Sequence, residues 1–368
     1  MARYLVAGGA GFIGRHLCQE LLNHGHQVRV LDSLVEQVHL PGTPIDLGSD
    51  IEFIEGDLRD AAAVRRALAG IEGVFNLAAE VGVGQSMYEI ERYVAANDLG
   101  TAVLMQEILA QPVRRVVVAS SMSIYGEGLY RHPDGRLITS AARRPDDLQA
   151  GQWELSEAGQ ILEPLPTDES KQPDLASVYA LSKYVQERLT LMLSTAYGIE
   201  GVALRLFNVF GPGQQLSNPY TGVLAIFSGR LLNDQPPSIF EDGQQRRDFV
   251  HVADVARAFR LAMEVPEAAG QAINIGSGRS HSVLEVARLL GEAMGQAELE
   301  PQILGRARSG DIRHCSADIG KAQELLEYSP GRRLEDGLQE LIQWVSTQRA
   351  QDRFGEAQRE LEKRGLVV

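Results

Sequence analysis

The chain has 368 residues, 44% of them hydrophobic, and a formal net charge of −14. That length supports a large core, while the acidic balance argues against nucleic acid or an anionic membrane surface as partner. Cys18 and Cys315 form no C-x-x-C pair, and no run of about 18 apolar residues occurs, so a cytoplasmic protein without disulfides, signal peptide or membrane span is expected.

Arg3 to Ala7 reads as a buried parallel strand and Phe12 to Leu22 as the helix after it. Between them Gly8, Gly11 and Gly14 fall in a G-x-x-G-x-x-G spacing. Gly8 allows a tight turn, Gly11 lets the backbone approach a pyrophosphate, and Gly14 lets helix and strand pack closely. The helix start at Phe12 and Ile13 offers free N–H groups to the phosphates. Gln27 to Leu31 reads as the second strand, ending at Asp32, whose carboxylate suits the ribose hydroxyls of NAD and repels the 2′-phosphate of NADP. Asp57-Leu58 follows a third strand, Ile51 to Glu55. Asp57 is either an adenine contact or a helix N-cap. Val74 to Ala79 reads as the fourth strand, and Leu77, Ala78 and Ala79 leave room for the nucleotide.

Val113 to Ala119 reads as the fifth strand, and Ser121 follows it, where ligands sit in such sheets. Residues 126–170 break the rhythm, being rich in Asp, Arg, Gly and Pro, and read as an insertion forming a lid. Tyr179 and Lys183 lie one helical turn apart and share a face. A nearby ammonium lowers the pKa of a tyrosine that must act as a base, and the lysine also reaches the nicotinamide ribose. Ser121 would hydrogen-bond the substrate oxygen that gains or loses the proton. Together these residues describe hydride exchange between a nicotinamide and an alcohol or ketone. The expected fold is α/β, a Rossmann-type doubly wound parallel sheet over residues 1–209, with a smaller substrate-binding lobe over 210–345 that sends some chain back to the sheet. Residues 346–368 read as a charged tail, over 348–364 either a solvated helix or frayed.

These motifs resemble those of the extended short-chain dehydrogenase/reductase superfamily, in particular its nucleotide-sugar epimerases and dehydratases, from residue 1 to 345. In that family the catalytic Ser or Thr stands four residues before the Tyr of a Tyr-Gly pair, and Tyr125-Gly126 places it at Ser121 rather than Ser120 or Ser123. Arg205-Leu206-Phe207-Asn208-Val209-Phe210-Gly211-Pro212-Gly213 is similar to R-x-x-N-x-Y/F-G-P-G. The resemblance implies that Phe207 lines the nicotinamide and Asn208 meets the sugar-nucleotide diphosphate. Arg247 begins an R-D-x-x-x-V-x-D match, and Arg308-Ser309-Gly310-Asp311 resembles R-x-G-D, which implies two arginines on the diphosphate or ribose, with Asp311 beside them. Asn97 matches an asparagine near the cofactor.

Dehydratases carry Asp-Glu directly after the catalytic Ser/Thr, and Met122-Ser123 here cannot act as acids. The segments 125–131, 146–154 and 79–88 are similar to the dTDP-L-rhamnose 4-epimerase group, which implies that Gln85 and Ser86 face the sugar. Relatives in that group often have paired cysteines in the insertion; this chain has His132-Pro133-Asp134-Gly135 and Leu155-Ser156-Glu157-Ala158 there, so no metal is expected and His132 reads as a surface residue. The resemblance implies a dTDP-L-rhamnose/dTDP-6-deoxy-L-talose 4-epimerase with tightly held NAD. A UDP-sugar 4-epimerase and an NAD(P)H-dependent 4-ketoreductase are the alternatives, and a non-catalytic NAD sensor fits least, since Tyr179 and Lys183 are both present. It also implies a homodimer, paired through the helices Glu89 to Leu109 and Val178 to Leu193.

Overall fold

Short apolar runs that are buried on both faces suit a parallel sheet covered by helices on each side. The computed structural model describes residues 1–39, 47–308 and 310–367, so Ser309 of the Arg308 motif lies outside the described residues. Its central sheet contains β1 (Arg3–Ala7), β2 (Gln27–Asp32), β3 (Ile51–Glu55), β4 (Gly73–Asn76) and β5 (Arg115–Ser121), then the strands Glu200–Leu206 and Ala272–Ile275. Across the sheet the order is 272–275, 200–206, β5, β4, β1, β2, β3, with every neighbour parallel. Ala7 pairs with Leu31 on one side and Asn76 on the other. The strand order therefore reverses between β1 and β4, which opens a crevice at the carboxyl ends of the strands.

One face of the sheet is covered by α1 (Phe12–Asn23) and the helix Val252–Glu264, where Leu17 and Leu21 share a core with Val255, Phe259 and Phe75. The other face is covered by the helices Ala61–Leu68 and Gly100–Ala110, whose Val64, Leu68, Leu104 and Ile108 pack on Leu5, Leu31 and Val116. The helix Val178–Tyr197 adds Leu193 to that second core. As expected, the lobe after residue 210 returns chain to the main sheet, through the strand Ala272–Ile275.

Four points differ from the sequence reading. The fourth strand stops at Asn76 instead of Ala79, because Leu77 and Ala78 turn to meet the glycine loop after β1; Leu77 donates its N–H to the Ala7 carbonyl at 2.9 Å. The insertion 126–170 is no lid, since none of its described residues lines the main cavity. Its strands Leu129–Arg131, Leu137–Ile138 and Glu163–Thr167 instead extend a second sheet, with Glu163–Thr167 parallel to His314–Ala317. His132 is buried rather than superficial, its ring 3.0 Å from the Asp134 carboxylate. The charged tail is helical over Phe354–Lys363, in line with the helix reading, but it is not fully solvated, since Ala357 and Leu361 are buried.

A buried ion network ties the insertion to the lobe. Arg313, fully buried, donates to Glu154 at 3.0 Å, Glu241 at 2.9 Å and Asp242 at 2.7 Å, while Arg143 pairs with Glu127 and Glu241. Removing one partner of such a set leaves an uncompensated buried charge. Arg313→Ala is therefore expected to lower stability by about 3–5 kcal/mol, read as a lower midpoint of urea unfolding with an unchanged slope.

Candidate active site

The glycine turn after β1 forms one wall of the crevice. Gly8 has φ +76°, and a Cβ there would come within 2.7 Å of the Ala78 nitrogen. A Cβ on Gly14 would sit 2.4 Å from the Gly8 carbonyl oxygen. Only glycine permits this approach of α1, turn and β4 exit. Helix α1 starts after Gly11 with no side-chain cap, so its first amides remain for a ligand. Asp32 is pinned at the end of β2: one carboxylate oxygen accepts from Ala10 N–H at 3.0 Å and the other from Leu34 N–H at 2.9 Å. His39, which belongs to none of the motifs, stands 3.7 Å from Asp32, and burial pushes its pKa down. Asp57 lines the cavity, and hydrogen bonds from Arg59 hold its carboxyl below the usual range; the helix N-cap there is Asp60, which accepts from Ala62 N–H.

A single cavity of about 630 Å³ runs from this turn into the lobe, within the range of small-molecule sites. Gly8, Gly11, Phe12, Ile13, Gly14, Asp32, Asp57, Leu58, Leu77, Ala78, Ala79, Ser121, Tyr179, Lys183, Phe207, Asn208, Arg247, Arg308 and Asp311 all line it. Three expected contacts do not. Asn97 is buried behind the wall, its side chain accepting from Glu80 N–H at 2.7 Å and donating to Ser182 Oγ at 2.8 Å. Gln85 accepts from Tyr93 Oη and Gln37, and Ser86 Oγ donates to the Val83 carbonyl while accepting from Tyr179 N–H at 3.0 Å. These side chains shape the loop and the Tyr179 helix, with no side-chain group of theirs on the cavity wall.

At the end of β5, Ser121 Oγ accepts from Ser123 N–H at 3.2 Å and Ser123 Oγ at 2.9 Å. Ser177 caps the next helix by accepting from Ala180 N–H, which sets Tyr179 in its first turn. Burial pushes the Tyr179 hydroxyl up, and its hydrogen bond with Ser121 opposes that shift. The shift is upward in this structure, against the expected lowering, and Lys183 Nζ donates to Gln186 Oε1 at 2.6 Å. Burial also takes Lys183 down to about 7, against the pull of Glu187. Behind the pair, Glu187 binds Arg205 through both oxygens, at 2.7 and 3.1 Å, and accepts from Ser120 Oγ at 2.6 Å. Ser120 is thereby engaged away from the reacting groups, as the choice of Ser121 requires.

In the lobe, Arg247 is held by the carbonyls of Arg246, Arg313 and Ile312. Arg308 pairs with Asp311 at 2.8 Å and lies 4.5 Å above the Phe240 ring. The buried Asn208 Oδ1 has no hydrogen-bond partner among the described residues. An open acceptor calls for a ligand hydroxyl or N–H, while Arg247 and Arg308, which line the same cavity, fit an anionic group. The glycine cradle, the free helix start and Asp32 fit a dinucleotide. Sequence reasoning missed the C-terminal wall, where Phe354, Ala357, Leu361 and Leu366 also line the cavity; their spacing of three and four residues from Phe354 to Leu361 was the available signal.

The profile of the NAD dependent epimerase/dehydratase family matches residues 4–145 and 156–276. The dTDP-L-rhamnose 4-epimerase of Burkholderia thailandensis is 35% identical over 349 residues, covering 94% of this chain and 95% of that protein. The UDP-glucose 4-epimerase of Bacillus subtilis is 30% identical over 366 residues, covering 93% and 96%. Among solved structures, the UDP-glucose 4-epimerase of Thermotoga maritima with UDP-glucose has a TM-score of 0.76 at 30% identity, covering 94% of this chain and 98% of that one. The UDP-glucuronic acid 4-epimerase of Bacillus cereus, in complex with UDP-glucuronic acid and NAD, gives 0.75 at 28% identity, covering 94% and 99%. With these matches spanning nearly its whole length, the chain belongs to the NAD-dependent epimerase/dehydratase family, within the extended short-chain dehydrogenase/reductase superfamily.

Proposed function

We propose that this isomerase interconverts dTDP-L-rhamnose and its C4 epimer, dTDP-6-deoxy-L-talose. The observation that carries the reading is one cavity lined by Ser121, Tyr179 and Lys183 together with the glycine turn and the arginines of the lobe. The 6-deoxy substrate is supported by the motifs of segments 79–88 and 125–154 and by the similarity to the Burkholderia enzyme. UDP-hexoses are the second reading, favoured by the UDP-sugar epimerases among the similar solved structures, at TM-scores of 0.76 and 0.75.

In this mechanism the amides at the start of α1 hold the cofactor pyrophosphate and Asp32 its ribose hydroxyls. NAD, when bound, supplies the hydride acceptor for sugar C4 and later the donor. Tyr179 removes the proton from the 4-hydroxyl, and Ser121 shares the hydrogen bond to that oxygen. Lys183, one turn along, gives Tyr179 a cation when protonated, which favours the phenolate. Asn208, Arg247 and Arg308 keep the diphosphate bound while the 4-ketone turns its opposite face to the site. Tethering avoids rebinding a released ketone in each cycle. Tyr179 returns its proton to the 4-oxygen as C4 regains its hydride, so no net redox change results. Asp32 disfavours a reductase working with NADPH.

A second copy of the chain is the proposed partner. Ile90, Leu99, Leu181 and Met192 are 52%, 51%, 45% and 53% exposed on the neighbouring helices 90–110 and Val178–Tyr197. Such apolar side chains suit a four-helix pairing between two copies. Sedimentation is expected to give twice the 40.2 kDa chain mass, and a single-chain mass would contradict this.

Incubation with dTDP-L-rhamnose and no added cofactor, followed by proton NMR, is expected to show the C4 epimer. Tyr179→Phe should lower kcat by about 100- to 10,000-fold while NAD released on denaturation stays at the wild-type amount. Ser121→Ala removes the hydrogen bond that favours the Tyr179 phenolate. The Tyr179 pKa then rises further, so the ascending limb of the pH–kcat profile should move to higher pH.

A further inference from the structure

The lysine that must supply a cation to Tyr179 is buried, and burial works against its charge. Lys183 is 3% exposed, and withdrawal from water takes it down to about 7. Its Nζ donates to Gln186 Oε1 at 2.6 Å, the one acceptor it has among the described residues. Gln186 belongs to none of the sequence motifs and is fully buried. Its amide is oriented from both ends. Nε2 donates to the Ala78 carbonyl at 3.2 Å and to Thr101 Oγ1 at 2.9 Å, and a carbonyl can only accept. An ammonium can only donate, so the amide oxygen must be the atom that meets Lys183. Turning the amide over would set its N–H groups against the ammonium and its oxygen against the Ala78 carbonyl.

This orientation is anchored in the fold. Thr101, in the helix Gly100–Ala110, also accepts from Asn76 Nδ2 at 3.2 Å, at the last residue of β4. Ala78 belongs to the β4 exit that Gly8 lets close, its nitrogen 2.7 Å from where a Gly8 Cβ would sit. Of the charged groups nearby, Glu187 on the same helix pulls the lysine up, and both its oxygens are bound by Arg205 of the strand Glu200–Leu206. From the other segments around this helix, Ser120, Ser121, Thr101 and residues 77–79 carry no charge. Burial alone acts on Asp98, and Glu80 and Arg92 pair with each other. Tyr93 and Tyr125 donate their hydroxyls elsewhere, to the Val81 carbonyl and Asn274.

We propose that Gln186 is a positioning residue for the reaction: its side-chain oxygen holds Lys183 at the β4 exit and keeps it an ammonium one turn from Tyr179. The use made of that ammonium rests on the nucleotide-sugar 4-epimerase reading, while the hold on it does not depend on the substrate. A hydrogen bond from a charged donor is stronger than one from a neutral donor, and it favours the charged form. Removing the acceptor therefore lets the lysine lose its proton at lower pH, and a carboxylate in the same place delays that loss to higher pH.

The chain has four lysines, Lys171, Lys183, Lys321 and Lys363, so the Cε signals of isotopically labelled lysine can be followed singly by carbon NMR, with Lys183→Arg assigning the one of interest. In the purified holoenzyme, Gln186→Met should lower the Lys183 titration midpoint by about one pH unit or more. Thr101→Val, which frees the amide, should shift it the same way by less, and Gln186→Glu should raise it. The descending limb of the pH–kcat profile should move with the midpoint in each variant. Gln186→Glu and Thr101→Val keep the shape of the side chain, so they carry the test if Gln186→Met does not fold. An unmoved Lys183 midpoint, with kcat lowered by the same factor at every pH, would overturn the proposal. If the midpoint follows residue 186 while neither dTDP-L-rhamnose nor a UDP-hexose is turned over, the reaction assignment fails and the hold on Lys183 stands.

Discussion

The approach of three backbone segments at the head of the crevice organises the rest of the site. Gly8 and Gly14 let the turn after β1, the start of α1 and the exit of β4 come closer than any side chain would allow. That contact bends the chain out of the sheet at Asn76 and sends residues 77–84 over the cavity toward the Tyr179 helix. The joint between Ser86 Oγ and the Tyr179 amide then links the nucleotide end of the crevice to the reacting end. Cofactor and acid–base group are thus placed by one continuous backbone path, closed by hydrogen bonds that do not face the ligand.

Burial drives the two titratable partners in opposite directions. Both side chains are withdrawn from water, which raises Tyr179 and lowers Lys183 to about 7. Of the groups acting on them, Ser121 is the one that pulls the tyrosine back and Glu187 the one that pulls the lysine up. Gln186 holds the lysine from one side and is itself held by Thr101 and the Ala78 carbonyl. The lysine is thereby fixed to the same β4 exit that the glycines define.

Where local chemistry dictates conformation, the sequence was readable. The strands β1 and β3, the glycine turn, Asp32 and the Ser121–Tyr179–Lys183 set follow from period, turn residues and spacing, and all of these site residues face one cavity. What escaped depends on partners distant in the chain. Asn97 and Gln85 look like ligand-binding amides, yet each is satisfied by protein groups that only the folded chain brings near. The insertion reads as irregular because its strands are short and the one that joins it to the rest of the second sheet, Glu163–Thr167, pairs with His314–Ala317, far away in sequence. His132 is buried with its ring 3.0 Å from the Asp134 carboxylate, and the helix Phe354–Lys363 reads as solvated because only Ala357 and Leu361 of it become buried.

The central claim is that hydride leaves and returns to the same sugar carbon within one bound complex. It is tested most directly with dTDP-L-rhamnose carrying deuterium at C4, incubated with the purified protein and no added cofactor. The account predicts that the C4 epimer forms with its deuterium retained. Loss of the label from the epimer, or conversion that requires added NAD(P)H, would contradict it.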